Sequence, residues 1–172
     1  MNASRDNVVL VHGLWMTGLE MRLLGRRLAR RGYRVRYFRY RTVRRTPAAN
    51  ARRLRAFISG LPHGPVHLVA HSLGGLVLLH MLASGDLHRP GRVVLLGSPV
   101  RGSDVARWLH RYRPGRLLLG HSYRAGLDGR VPSWRGDREL GVIAGTLGVG
   151  AGLLFPGASS GPGDGTVAVS ET

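Results

Sequence analysis

The apolar residues of this chain change their period along its length, and these changes divide the sequence into predicted strands and helices. Short continuous apolar runs, or apolar residues alternating with arginine, are typical of strands. Leucines at helical spacing opposite arginines instead indicate an amphipathic helix, which ends at glycine or proline. On these grounds we predict strands over residues 7–13, 33–40, 65–70, 92–96 and 139–145, and helices over residues 17–31, 47–61 and 73–83.

The order of these elements predicts the fold class. Strands and helices alternate from residue 7 to residue 96, which is the pattern of an α/β fold. Such a fold has a mostly parallel sheet, right-handed crossovers and helices on both faces. We expect a single domain over residues 1–172, because a chain of 172 residues can form one substantial core.

The remainder of the chain is rich in glycine, proline and arginine. A helix is expected to begin near Asp104 and to end at His110, and residues 111–136 are predicted to be a loop region with at most a short helix. Residues 148–165 are expected to form a long loop, a feature that is usually functional or disordered in a compact domain. The final residues, TVAVSET, are predicted to begin a last strand.

The charge balance is strongly basic. With 26 basic and 9 acidic residues the formal charge is +17, and every basic residue is arginine. Such a charge suggests nucleic acid or an anionic membrane as a partner. The arginines are spread along the chain, are densest over residues 22–45, and accompany no motif that reads nucleic acid. We therefore expect only weak anionic membrane or nucleic-acid association through arginines, and no specific protein partner.

Further classes of site and segment are constrained by composition. The chain has no cysteine, which excludes disulfides, thiolate metal sites and a cysteine nucleophile. The apolar run at residues 8–11 is too short for a signal-peptide core. The glycine-rich residues 140–156 fall short of the roughly 18 to 20 continuous apolar residues that span a membrane. The expected location is cytoplasmic.

One serine lies between a predicted strand and a predicted helix, in the stretch VHLVAHSLGGLVLLHML. Ser72 has small residues two positions before and two positions after it, Ala70 and Gly74. A sharp turn of this kind, called a nucleophile elbow, raises the serine hydroxyl above the carboxyl edge of the sheet. The helix that starts at Leu73 would also direct its positive end toward a developing oxyanion. The alternative is an ordinary helix N-cap, where serine is common.

A second motif, VHGLW, follows the first predicted strand. Acyl transfer requires two donors to the tetrahedral oxyanion, one after the nucleophile and one from another loop. The backbone N–H groups of Leu73 and Leu14 are the candidates. His12 is expected to shape this loop beside Gly13, and the alternative is that His12 acts as a base.

Together these motifs resemble a known family. VLVHG, VAHSLGG, VVLLGSPVRGS and GDGTV match, in kind and in order, a serine esterase or lipase of the α/β-hydrolase superfamily, of the small, lidless type. The match covers nearly the whole chain. Ala70 departs from the commonest residue, glycine, but small bacterial lipases of this superfamily also have alanine there. The resemblance implies an acyl-enzyme on Ser72, with the elbow and its neighbouring loop supported by His12, Gly13, Ala70, His71 and Gly74.

The resemblance also implies a substrate class. It predicts hydrolysis of a small-molecule carboxylic ester without a metal or an organic cofactor. The apolar side chains of Leu14, Trp15 and Met16 would suit an acyl chain. Two alternatives remain, namely acyl transfer to an alcohol or thiol at the same site, and a catalytically inactive hydrolase fold that serves as a binding module.

The superfamily order of nucleophile, acid and histidine indicates Asp164 as the acid. This residue lies in the stretch GPGDGTV, before the last predicted strand. Its role would be to fix the tautomer of a histidine and to stabilise the imidazolium ion. A plain Asp-Gly turn is the alternative, and Asp128 is the second candidate for the acid.

The catalytic histidine is missing from its expected place. None of the eight histidines follows Asp164. His71 adjoins Ser72, but neighbours across such a turn point in different directions, and His121 is a weak internal candidate. We therefore expect a chain that stops before its catalytic histidine and lacks a C-terminal strand and helix. The alternative is that the base has been lost.

Overall fold

A parallel sheet forms the centre of the protein. The computed structural model describes residues 6–85, 87–134, 138–145, 167 and 169–172, and within these ranges it contains one five-stranded sheet. Its order is β2-β1-β3-β4-β5, and every neighbouring pair is parallel. The strands are β1 (Asn7–Val11), β2 (Arg34–Phe38), β3 (Val66–His71), β4 (Val93–Leu96) and β5 (Leu140–Ile143).

Helices cover both faces of this sheet, as the sequence predicts. On one face, α1 packs with Leu24 and Leu28 against Val8 and Leu10 of β1. On the other face, α2 and α3 enclose the larger core, which includes Val9 and Val11 of the same strand. The helices are α1 (Arg22–Arg30), α2 (Pro47–Ser59), α3 (Leu73–Ala83), α4 (Asp104–His110) and α5 (Arg113–Leu119). The α/β prediction is therefore confirmed.

The burial of each element follows from its sequence. All five residues of β1 are buried, and four of them, residues 8–11, form its continuous apolar run. Nearly every residue of α3 is buried, because the stretch LGGLVLLHMLA is apolar on all sides. The helices among the described residues are too short or too polar to cross a membrane.

Two predicted elements differ from the structure. The first helix begins at Arg22 and not at residue 17, because Gly18 adopts a φ of +92° and its N–H donates to the Glu20 carboxylate. At the chain end, Val169–Glu171 form a 3-10 turn where a strand is predicted. The Glu171 carboxylate accepts from the N–H of Asp104 at 2.5 Å, at the start of α4, and this long-range contact leaves no signal in the local pattern.

We expect Gly74→Ala to destabilise the fold. A Cβ at Gly74 would lie 2.5 Å from the carbonyl oxygen of Val11 and 2.7 Å from that of His12, so two backbones would have to separate. Strain of this kind typically costs about 1–3 kcal/mol. The free energy of unfolding in urea measures the effect. Gly60→Ala is the control, because Gly60 has a φ of −82° and no atom within 3.4 Å of such a Cβ. Equal losses for the two variants would contradict the close approach at Gly74.

Candidate active site

Ser72 occupies a strained turn between β3 and α3. Its backbone has a φ of 51° and a ψ of −122°, a conformation that residues other than glycine rarely adopt. Such strain costs on the order of 1–3 kcal/mol and persists only where the surroundings enforce it. Two backbone bonds do so: the N–H of Ser72 donates to Leu96 of β4 at 2.9 Å, and its carbonyl accepts from Gly75 at 3.0 Å. The serine is only partly buried.

The loop that follows β1 lies directly against this turn. A Cβ at Gly13 would be 3.2 Å from the Cβ of Ser72 and 3.0 Å from Nδ1 of His71. Glycine at this position therefore lets the loop backbone approach the serine. On the opposite side, Gly74 admits the carbonyl groups of Val11 and His12 against the first turn of α3.

The orientation of the Leu14 N–H follows from the bonds of the preceding carbonyl. The Gly13 carbonyl accepts from Nδ1 of His12 at 3.0 Å and from the N–H of Met16 at 3.4 Å. In a trans peptide the C=O and the next N–H point in opposite directions, so the N–H of Leu14 is turned away from those two donors. No hydrogen bond within the described ranges uses the N–H of Leu14, the N–H of Leu73 or the hydroxyl of Ser72.

His12 is a buried, neutral part of this loop. Its side chain is 1 % exposed, and its Nε2 accepts from the N–H of Tyr40 at 3.4 Å. Because a backbone N–H can only donate, this bonding pattern assigns the proton to Nδ1, which donates to the Gly13 carbonyl. Burial lowers the pKa of His12 below its ordinary value of 6.5, although the bond to Gly13 and the charge of Glu20 oppose the shift. The geometry thus supports the loop-shaping role expected for His12.

Tyr40 completes the support and was not found by sequence reasoning. Its ring stacks on His12 with centroids 4.4 Å apart, and its hydroxyl donates to the His12 carbonyl at 2.7 Å. Burial raises the pKa of the Tyr40 hydroxyl far above its ordinary range, so it remains a donor. The only local signal is one more aromatic residue at the end of an alternating strand, which gives no hint of a contact with residue 12.

This geometry can be compared with known proteins. A model of the alpha/beta hydrolase family matches residues 8–166, a range that includes both the loop after β1 and the turn at Ser72. The chain belongs to the alpha/beta hydrolase family. Membership of this family supports the assignment of a hydrolase. The resemblance to the family that the sequence motifs predict is confirmed. Comparison with curated proteins found no significant match.

Solved structures of similar fold include several hydrolases. The mature Bacillus licheniformis lipase BlEst2 is 17% identical with a TM-score of 0.68, and the match covers 97% of this chain and 78% of the lipase. The Paleococcus ferrophilus monoacylglycerol lipase is 23% identical with a TM-score of 0.51, covering 63% of this chain and 48% of that enzyme. A NocB thioesterase domain, solved as a covalent complex with a fluorophosphonate nocardicin G analog, is 22% identical with a TM-score of 0.53, covering 78% and 70%.

Of the two candidate acids, the structure describes only Asp128. Asp164 lies outside the described residues and stays a prediction. The carboxylate of Asp128 accepts from the backbone N–H groups of Ala125, Gly126 and Arg130 and from the Arg130 guanidinium. Burial raises the pKa of Asp128, but Arg130 and these N–H groups outweigh burial and hold the pKa below its ordinary value. The geometry thus gives Asp128 the role of closing its own turn.

The two histidines considered as bases, His121 and His71, lie on different elements of the fold. His121 is exposed in the short turn after α5, and its N–H donates to the carbonyl of Val43 at 2.9 Å. His71 is the last residue of β3, with its Nδ1 close to Gly13. Within the described residues, no group of three histidine, aspartate or glutamate side chains is arranged to hold a metal ion.

An open cleft of about 620 Å³ lies on the opposite edge of the sheet from Ser72. Its lining includes Asp6, Pro65, Arg92 and Glu139, which precede β1, β3, β4 and β5 respectively. These positions mark the amino ends of the strands, whereas open α/β sheets bind ligands beyond the carboxyl ends. We therefore place the candidate active site at Ser72 and not in this cleft.

We expect the stability of the protein to fall as the pH drops below about 6.5. The lowered pKa of folded His12 means that the unfolded chain binds a proton first, so folding becomes less favourable as the pH falls through this range. The free energy of unfolding from about pH 8 to about pH 5 gives the slope. In His12→Asn the slope should be shallower, while His63→Asn, which changes an exposed histidine, should keep it. An unchanged slope in His12→Asn would contradict a buried neutral His12.

Proposed function

We propose that this protein is a serine hydrolase that cleaves carboxylic esters through an acyl-enzyme on Ser72. The observation that carries the proposal is the strained, partly exposed Ser72, held at the carboxyl end of β3 with the Gly13 backbone beside it. An N-cap serine does not require a positive φ, since cap residues have extended backbones. Ser72 also makes no side-chain cap bond to α3.

The proposed reaction uses the groups around this turn. The Ser72 hydroxyl attacks the ester carbonyl carbon while a histidine removes its proton. The same histidine gives this proton to the leaving oxygen as the tetrahedral intermediate collapses, and the alcohol leaves. The N–H groups of Leu14 and Leu73 donate to the oxyanion. Water then attacks the acyl-enzyme, releases the acid and restores the hydroxyl. The positive end of α3 further stabilises negative charge above Ser72.

Acid and base in this scheme rest on the sequence. Asp164 is proposed to orient the histidine, because its position after the nucleophile follows the family order. His121 is the internal candidate for the base. Ester hydrolysis is favoured because two proteins of similar fold are a lipase and a monoacylglycerol lipase. Acyl transfer to an alcohol or thiol would use the same residues.

We expect a fluorophosphonate probe to label the protein at Ser72. The probe phosphonylates activated serines with loss of fluoride, and a NocB thioesterase domain of similar fold forms a covalent complex with a fluorophosphonate analog. Labelling should vanish in Ser72→Ala and persist in Ser59→Ala, which changes an exposed serine at the end of α2. Mass spectrometry of the labelled peptide identifies the site.

Two further outcomes of the labelling experiment are informative. Loss of labelling in His121→Gln would assign the base to His121, and retention would exclude it. A protein that folds but does not react would show that Ser72 is not activated in this chain, which contradicts an active hydrolase and leaves a chain without its base or an inactive binding module.

We expect Tyr40→Phe to slow labelling of Ser72 without unfolding the protein. The variant removes the hydroxyl that bonds the His12 carbonyl, so the loop that carries Leu14 loses one of its restraints. The labelling rate should fall by about 3- to 30-fold, less than for loss of an oxyanion donor itself. Tyr112→Phe, at an exposed tyrosine, is the control. Unchanged labelling in Tyr40→Phe would mean that the hydroxyl does not position the loop.

A further inference from the structure

Three exposed apolar side chains lie together beside the candidate active site. Trp15, Leu117 and Leu118 are 51%, 79% and 52% exposed, and the indole N–H of Trp15 donates to the Leu118 carbonyl at 2.9 Å. We call these three residues the apolar rim. Large apolar side chains that cluster on a surface commonly mark an interaction site.

The apolar rim is attached to the same core as the proposed oxyanion residues. Leu119, the next residue of α5, is buried and packs in one cluster with Leu73, while Leu14 packs against that cluster from the loop after β1. Trp15 follows Leu14 directly, with a strained φ of 58°. Whatever covers the rim therefore lies next to Ser72.

Exposed arginines lie on the two segments that adjoin the rim, α5 and the loop after β2. Arg113 and Arg116 belong to α5 itself, and the loop after β2 carries four more exposed arginines. This loop is held to the rim from two sides, since Thr42 Oγ1 accepts from the N–H of Trp15 at 3.3 Å and Val43 accepts from His121. The four loop residues are Arg39, Arg41, Arg44 and Arg45.

These six arginines leave a positive charge that the described part of the chain does not neutralise. Arg92, Arg107 and Arg130 each pair with a carboxylate, whereas none of the six lies in an ion pair within that part of the chain. Glu20 is the acidic group whose charge reaches Tyr40 and His12, and its carboxylate is bonded to the N–H of Gly18. The rim thus combines exposed apolar side chains with exposed arginines, unpaired within the described residues, on the segments that adjoin it.

We propose that the apolar rim and its arginines dock this protein on an anionic phospholipid bilayer. Trp15, Leu117 and Leu118 would enter the boundary between headgroups and acyl chains, while the arginines contact the phosphates. Nucleic acid offers phosphates too, but it has no apolar layer for exposed leucines. Docking itself does not require Ser72. The inference rests on the proposed function only where it takes lipid esters at the bilayer as the substrates that would reach Ser72.

Cosedimentation with vesicles tests the proposal. The protein should bind vesicles of equimolar phosphatidylcholine and phosphatidylglycerol, and should bind vesicles of phosphatidylcholine alone much more weakly. Leu117→Ser with Leu118→Ser should weaken binding by about tenfold or more, because the lost apolar area no longer enters the bilayer. Arg113→Gln with Arg116→Gln should weaken binding to the mixed vesicles and reduce its dependence on salt.

Matched variants distinguish docking at the apolar rim from nonspecific hydrophobic adsorption and from catalysis. Leu19→Ser with Leu23→Ser removes two other exposed leucines, 55% and 60% exposed, and should leave binding intact. Ser72→Ala should also bind as the wild type does, and the Leu117 and Leu118 variant should keep fluorophosphonate labelling. Equal losses for both leucine pairs, or tight binding to duplex DNA that the leucine changes do not affect, would overturn the proposal.

Discussion

The close approach of two backbones at Gly74 is the constraint on which the rest of the site depends. The first turn of α3 lies so near the end of β1 that a single Cβ at Gly74 would collide with the carbonyl groups of Val11 and His12. Because β1 and β3 are adjacent parallel strands, their carboxyl ends meet at one edge of the sheet. The loop after β1 and the turn after β3 are therefore brought together, and the Gly13 backbone lies beside Ser72.

A buried polar residue then holds the loop in place. His12 binds the Gly13 carbonyl with one ring nitrogen and the N–H of Tyr40 with the other, while its own carbonyl accepts the Tyr40 hydroxyl. A buried polar group is stabilising only when its hydrogen bonds are made. Both ring nitrogens of neutral His12 make hydrogen bonds, so the buried ring is satisfied without a charge. His12 therefore adds nothing to the net charge of +17.

The surface around this site has a different character from the sheet below it. The central strand β1 buries a continuous apolar run, whereas α5 presents Leu117 and Leu118 outward and buries Leu119. A short helix that is anchored by its two buried residues, Gly115 and Leu119, can expose leucines at little cost to its packing. Leu14, Leu73 and Leu119 belong to or pack against the same core cluster, so the candidate site and the apolar rim are supported by the same packing.

Local sequence determined the strands, most of the helices, the α/β class and the turn at Ser72, because burial imposes a period and an elbow requires small residues at fixed offsets. Sequence also indicated His12 and Leu14, which follow a strand directly. Only the tertiary structure decided three hydrogen bonds: from Tyr40 to the His12 carbonyl, from the start of α4 to the Glu171 carboxylate, and from Trp15 to the Leu118 carbonyl. Each of these contacts joins residues that are far apart in the chain, and hydrogen bonds between such residues impose no period on the sequence around them.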